Sequence, residues 1–147
     1  MRDLDVIKTQ LEIMSLKSRH MRLVDAKEWL EYTAMLTEDF ILDISESAKV
    51  PVIHGRDAAV KQVRSSCEGA VTVHQAHLPE FELNGDEVFA TWPMHARVVR
   101  RPDQPTITLF GYHYDRWVRR DGEWKLAALR QKTLHLDVHA PTKPSAA

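Results

Sequence analysis

An aspartate closes an apolar helical stripe near the start of this 147-residue chain. Ile7, Leu11, Met14, Ser18, Met21 and Asp25 follow one another at spacings of four and three residues. At about 100° per residue these positions share one side of a helix. A carboxylate aimed into a protein interior is costly unless it is paired or hydrogen-bonded. Asp25 therefore ends this helix, or N-caps the next at Ala26-Lys27-Glu28-Trp29-Leu30, or faces a cavity that holds a partner.

Imidazole suits such an acid. A carboxylate that accepts from one ring nitrogen fixes the tautomer and raises basicity, leaving the other nitrogen free to take a proton. The chain carries eight histidines, scattered along its length. In Val71-Thr72-Val73-His74-Gln75-Ala76-His77-Leu78, strand alternation puts His74 on one face with Ala76 and Leu78, and His77 on the other. Only one of the two can then enter a cavity; for His74 the alternative is a half-buried histidine bonded to a neighbouring strand. His95 is out of phase with Val88, Ala90, Trp92, Met94 and Ala96, which by alternation places it on the face of Thr91 and Arg97. Arg130 shares a phase with Trp124, Leu126, Ala128, Lys132 and Leu134, an arrangement that points a permanently charged fork of donors inward. There it needs an acid, Asp25 or Asp115, or an anionic or carbonyl ligand. His20 precedes Asp25 by five residues, about 140° around a regular helix, so their joint use requires a loosened turn. Tyr112 and Tyr114 are strand aromatics with hydroxyls able to reach a substrate carbonyl, core packing being the alternative for at least one, and Trp29, Trp92, Phe110 and Trp117 supply core or the apolar wall of a small-molecule pocket.

Other chemistries find less support. His74-x-x-His77 diverges in a strand and His135-x-x-x-His139 lies at a terminus, so the three or four convergent ligands of a zinc site cannot be assembled; no metal and no cofactor is expected. No phosphate-cradling glycine loop, nucleophile elbow or Cys–His pair appears. Basic and acidic residues nearly balance, 20 against 21, which leaves no electrostatic footprint for nucleic acid. No apolar run approaches the roughly 20 residues that span a bilayer, and the N-terminus lacks a signal-peptide core. The single Cys67 excludes an internal disulfide and fits a reducing, cytoplasmic setting.

The elements that must position these groups read as helices first and sheet afterwards. Helical periodicity runs from Leu4 to Val24 and again from Ala26 to Leu36. Phe40–Ile44 and Val50–His54 look like short strands, the latter at an edge that tolerates Pro51. Gly55-Arg56-Asp57 opens a third helix, Ala58 to Glu68, stopped by Gly69. Strands follow at 71–83, 87–99, 106–120 and 123–137, with Asn84-Gly85-Asp86 and Asp121-Gly122 as turns. The expected architecture is α+β: one domain over residues 1–138, with three helices packed on the concave face of a curved antiparallel sheet, and a disordered tail over 139–147.

That order and its motifs resemble the SnoaL-like branch of the nuclear-transport-factor-2-like superfamily. The run Gly111-Tyr112-His113-Tyr114-Asp115-Arg116-Trp117-Val118-Arg119-Arg120-Asp121-Gly122-Glu123-Trp124-Lys125-Leu126, followed by Arg130, is similar to that family's closing strand pair. His54-Gly55-Arg56-Asp57-Ala58 and Leu36-Thr37-Glu38-Asp39-Phe40 match its third-helix start and first-strand entry. The resemblance spans residues 5 to 137 and implies a cone-shaped α+β barrel with a ligand-sized cavity at its mouth. It also implies an Asp–His dyad, as in the family's dehydratases and dehydrochlorinase, carried here by Asp25 and His74, with His95 as a second acid/base group and His20 matching a contributing position. On this reading the chain is a cofactor-independent, dehydratase-type lyase acting on a small, largely apolar oxygenated molecule. Isomerisation or polyketide-type cyclisation in the same pocket, or a non-catalytic binding or assembly role, are the alternatives. The resemblance further implies a homo-oligomer, dimer or trimer, joined through the outer sheet face by residues such as Trp117 and Phe89.

Overall fold

The structure, a computed structural model, describes residues 2–144. Helix α1 (Asp3–Asp25) starts on Asp3 and Asp5, whose carboxylates suit the positive end of the helix dipole. It stops at Lys27, where φ is 59°. The Glu28 N–H reaches Leu23 O at 2.9 Å and the Lys27 N–H reaches Val24 O at 3.0 Å, a Schellman closure built on a lysine in place of the usual glycine. Asp25 is thus the last helical residue. It does not cap the next helix, α2 (Trp29–Ala34), whose N-cap position is Glu28, and Leu36 already belongs to a strand, so the second helix is shorter than periodicity suggests.

The buried face of α1 differs from the expected stripe. Its interior residues are Ile13, Lys17, His20, Met21, Leu23 and Val24, with Thr9, whereas Ile7 and Leu11 are 53% and 60% exposed. Counting apolar residues selected the neighbouring face, because the true interior stripe contains a lysine and a histidine that such a count passes over. The two faces overlap at Met21, and Asp25 borders both.

Seven strands form one sheet: β1 (Leu36–Asp43), β2 (Ile53–His54), β3 (Val71–Ala76), β4 (Glu80–Asn84), β5 (Glu87–Val99), β6 (Thr106–Arg120) and β7 (Glu123–His139). Their order is β2-β1-β7-β6-β5-β3, with β4 also on β5. The sheet is mixed, in contrast to the antiparallel expectation: β1 runs parallel to β7. Those two strands are far apart in sequence and share no hairpin, so nothing obliges them to run in opposite directions. The expected 71–83 strand is split. β3 pairs with Ala76↔Met94 through Val71↔Val99, β4 with Glu80↔Thr91 through Asn84↔Glu87, and Pro79, which has no N–H to donate, lies in the break.

Helix α3 (Ser45–Ala48), unforeseen in the sequence, joins α4 (Arg56–Cys67), making four helices among the described residues in place of three. Asp43 starts α3 by accepting from the Ser45 N–H at 3.1 Å and the Ser45 hydroxyl at 2.6 Å. Strand β7 includes His139, which the sequence reading assigned to the tail, and the Lys143 N–H donates to Pro102 O at 2.9 Å; residues 145–147 of the expected tail lie outside the described residues. The curved sheet is open, with the helices on its concave side as in cone-shaped α+β folds. Ile13, Val24, Tyr32, Ala59 and Cys67 from the helices pack there against Val88, Trp92, Trp117, Leu126 and Leu129. Trp117 is fully enclosed in this core and is therefore absent from the outer face where an interface role placed it. Among the described residues no helix is long and apolar enough to cross a membrane.

Candidate active site

The end of α1 delivers Asp25 to the inward face of β3, where Thr72 and His74 both point by the two-residue period of a strand. His74 Nδ1 lies 2.6 Å from Asp25 Oδ1, the His74 backbone N–H donates to Oδ2 at 2.9 Å, and the Thr72 hydroxyl donates to Oδ1 at 3.0 Å. Three donors thus converge on one carboxylate. With Asp25 accepting from Nδ1–H, the His74 lone pair is on Nε2. Both side chains are about one-fifth exposed, 18% and 24%, so the pair is sheltered yet reachable.

His74 and Met21 stand between two hollows. A groove of about 930 Å³ runs past Lys17, Asp25, Trp92 and residues 75–79, the break between β3 and β4 forming one wall. A cavity of about 380 Å³ lies inside the cone, bounded by His20, Tyr32, His113 and Gln131 and by apolar residues of β5, β6 and β7.

Beneath them lies a buried polar network. Lys17 Nζ contacts Asp115 at 2.9 and 3.2 Å and donates to His113 Nδ1 at 3.0 Å. That bond leaves the His113 proton on Nε2, which donates to Gln131 Oε1 at 3.1 Å. Gln131 Nε2 donates to the Ser47 hydroxyl at 2.7 Å. Burial lowers the Lys17 pKa and raises that of Asp115, each shift opposed by the partner's charge. Burial first, and then the Lys17 charge, hold His20 and His113 well below the usual imidazole range, so both are neutral at pH 7. His20 stacks on Tyr32 at 5.5 Å, and its Nδ1 is buried without a hydrogen-bond partner among the described residues. Burial also raises the Tyr32 pKa.

Of the residues singled out in the sequence, the structure gathers Asp25, His74 and His20 around these hollows, and Trp92 lines the groove. It does not gather His95, Arg130, Tyr112, Tyr114 or Phe110, which occupy the opposite face of the sheet. His95 is stacked on Phe110 at 4.7 Å, Arg130 lies over the Tyr114 ring at 4.3 Å, and Tyr112 is 6.3 Å from Tyr114. For His95 the plain alternation holds. Arg130 was misplaced by an irregularity: Trp117 pairs with Leu126 but Arg116 with Ala128. Ala127 is therefore an extra residue, and the phase of β7 flips beyond it. Leu129 and Gln131 face in, Arg130 and Lys132 out. Trp29 packs edge-on to Tyr32 at 6.2 Å and lines neither hollow.

Residues 5–130 match the profile of the SnoaL-like domain family. The chain belongs to that family. No curated protein matches it in sequence. Its fold is similar to a putative scytalone dehydratase from Novosphingobium aromaticivorans, at 19% identity over 99% of this chain and 100% of that one, TM-score 0.80. It is also similar to a type-3 hexachlorocyclohexane dehydrochlorinase from Novosphingobium barchaimii, at 18% identity over 95% of each chain, TM-score 0.81. ActVI-ORFA from Streptomyces coelicolor shares the fold at 20% identity, over 87% of this chain and 98% of that one, TM-score 0.70. At such identities the likeness is one of fold.

Within this SnoaL-like domain the sequence reading missed Lys17, His113, Gln131 and Ser47. A signal for two of them was present. His113 and Asp115 share the phase of Trp117 in β6, opposite the apolar phase of β5, and Lys17 stands three residues before His20 on the same helical face. Gln131 was hidden by the extra residue in β7, and Ser47 by the unforeseen α3. No group of three or more His, Cys, Asp or Glu side chains placed to hold a metal occurs among the described residues.

Proposed function

We propose that this SnoaL-like domain is a proton-transfer lyase of the dehydratase type, acting on a small, largely apolar oxygenated molecule. The observation that carries the reading is the Asp25–His74 pair, with Nδ1 committed to the carboxylate at 2.6 Å and no hydrogen-bond partner for Nε2 among the described residues. Nε2 takes a proton from a substrate carbon, and the Asp25 carboxylate orients and stabilises the imidazolium that forms. A base in this position serves elimination and double-bond isomerisation alike. The donors facing the departing or developing oxygen are His20 and Tyr32 inside the cavity, and they take over the part first given to His95 and Arg130. Burial keeps the Tyr32 hydroxyl protonated. Two proteins of similar fold are named as a dehydratase and a dehydrochlorinase, which agrees with an elimination. We further infer a homo-oligomer joined through the outer sheet face, where Phe89 and Phe110 are 40% and 41% exposed beside Tyr112 and Tyr114.

Exchange of carbon-bound hydrogen tests the base without knowledge of the product. A library of small enolisable ketones and β-hydroxy carbonyl compounds is incubated with the protein in D₂O and read by mass spectrometry. The expected result is deuterium uptake in at least one compound, reduced about 100-fold or more in His74→Ala and in Asp25→Asn. Unchanged uptake in either folded variant would overturn the dyad.

A further inference from the structure

The inner cavity has two unlike ends. At one end His20, His74 and His113 gather with Tyr32 and Gln131; at the other, Arg100 follows the last residue of β5. Strand register sets their separation. His74 is opposite Ala96, and Arg100 lies four residues further along, about 13 Å in extended chain. The wall between them is apolar: Ala96 and Val98 on β5, Ile107 and Leu109 on β6, Leu136 on β7 and Val63 on α4.

Charge is distributed unevenly around this space. None of the described residues lining it is Asp or Glu. Arg101 is paired with Asp103, but Arg100 has no carboxylate in ion-pair contact among the described residues. The Lys17 charge is matched by Asp115 at 2.9 Å. His20 and His113 are neutral, held so by burial and by Lys17. One uncompensated cation therefore remains on the cavity wall, and its planar fork of donors matches a carboxylate bidentately. The far end offers uncharged polar side chains, His20, Tyr32 and Gln131, which suit an uncharged oxygen.

We infer that the cavity takes an apolar molecule bearing a single carboxylate, with the carboxylate on Arg100 and a carbonyl or hydroxyl oxygen against His20. This names the substrate class for the reaction proposed above and rests on that reading only in placing the reacting carbon near His74. The preference for an anion depends on Arg100 and the cavity alone, so it is measurable without turnover.

The probes are ω-phenylalkanoates with three to eight methylene groups, each compared with its primary amide by isothermal titration. The wild type is expected to bind at least one carboxylate about 10-fold or more tightly than the matching amide. Arg100→Gln should abolish that preference while leaving amide affinity within about twofold, and Arg100→Lys should retain part of it. Asp25→Asn should keep the preference even where deuterium exchange is lost, which separates failure of the dyad from failure of the anion site. The inference is overturned if no carboxylate in the series is preferred over its amide, or if Arg100→Gln, with its melting temperature unchanged, discriminates as well as the wild type.

Discussion

Lys17 is 1% exposed, a burial that a lysine tolerates only when its charge is answered, and Asp115 answers it. Replacing Lys17 by Met leaves Asp115 enclosed without its cation, and a loss of about 3–5 kcal/mol is expected from urea denaturation. A second replacement, Asp115→Leu, should recover most of that loss, because the pair costs far less to remove whole than to break. Equal stability of Lys17→Met and the wild type would show that water, not Asp115, solvates the ammonium. The same residue explains what was readable in the chain and what was not. Helical spacing drew attention to Asp25, strand alternation left either His74 or His77 to face inward, and the family resemblance chose His74; the structure does bring the Asp25 and His74 side chains into contact. Lys17 and His20 lie on the true interior face of α1, yet polar residues in a helical stripe read as a boundary with solvent. The contact that makes burial tolerable spans 98 positions in the chain, and no local rule contains it.

At the scale of elements, the strands and helices from α4 onward were legible, apart from the break between β3 and β4, because most of their turns are built from Gly, Asn and Asp, while register was not. β7 holds two irregular sites against β6, between Phe110 and Gly111 and between Arg116 and Trp117. Each adds a residue to one strand only and so reverses which side chains face inward. An alternation count run through Ala127 therefore assigns Arg130 and Gln131 to each other's faces. Gly111 stands at the other irregularity, where a Cβ would lie 1.8 Å from Lys132 O. Since the obstacle is backbone, it cannot swing aside. Gly111→Ala is expected to lose at least about 2–3 kcal/mol or to force the β6–β7 register to shift, measured by thermal unfolding and by hydrogen exchange at the Lys132 and Thr133 amides. Retention of wild-type stability and protection would mean that the two strands separate there at little cost.

For the molecule as a whole, the two neutral histidines predict how stability follows pH. An unfolded histidine titrates near 6.5, and His20 and His113 titrate well below that when folded. Between the two pKa values the unfolded chain binds protons that the folded chain refuses. Stability is therefore complete above about pH 6.5 and declines as pH falls through that value, by up to about 1.4 kcal/mol per pH unit for each histidine. Urea midpoints measured from pH 7.5 to 5.0 should fall accordingly, and more gently in His113→Gln; a flat profile in the wild type would contradict neutral burial of both rings. The hydrogen bonds that hold His113 have a separate consequence for the interior. They run in one sense, from Lys17 through His113 and Gln131 to Ser47, and one link is a primary amide. An amide neither gains nor releases a proton near neutral pH, so charge cannot hop along the string as it does along a file of water molecules. Gln131 interrupts the string: it holds the ring of His113 in place and puts a group that does not titrate between that ring and helix α3.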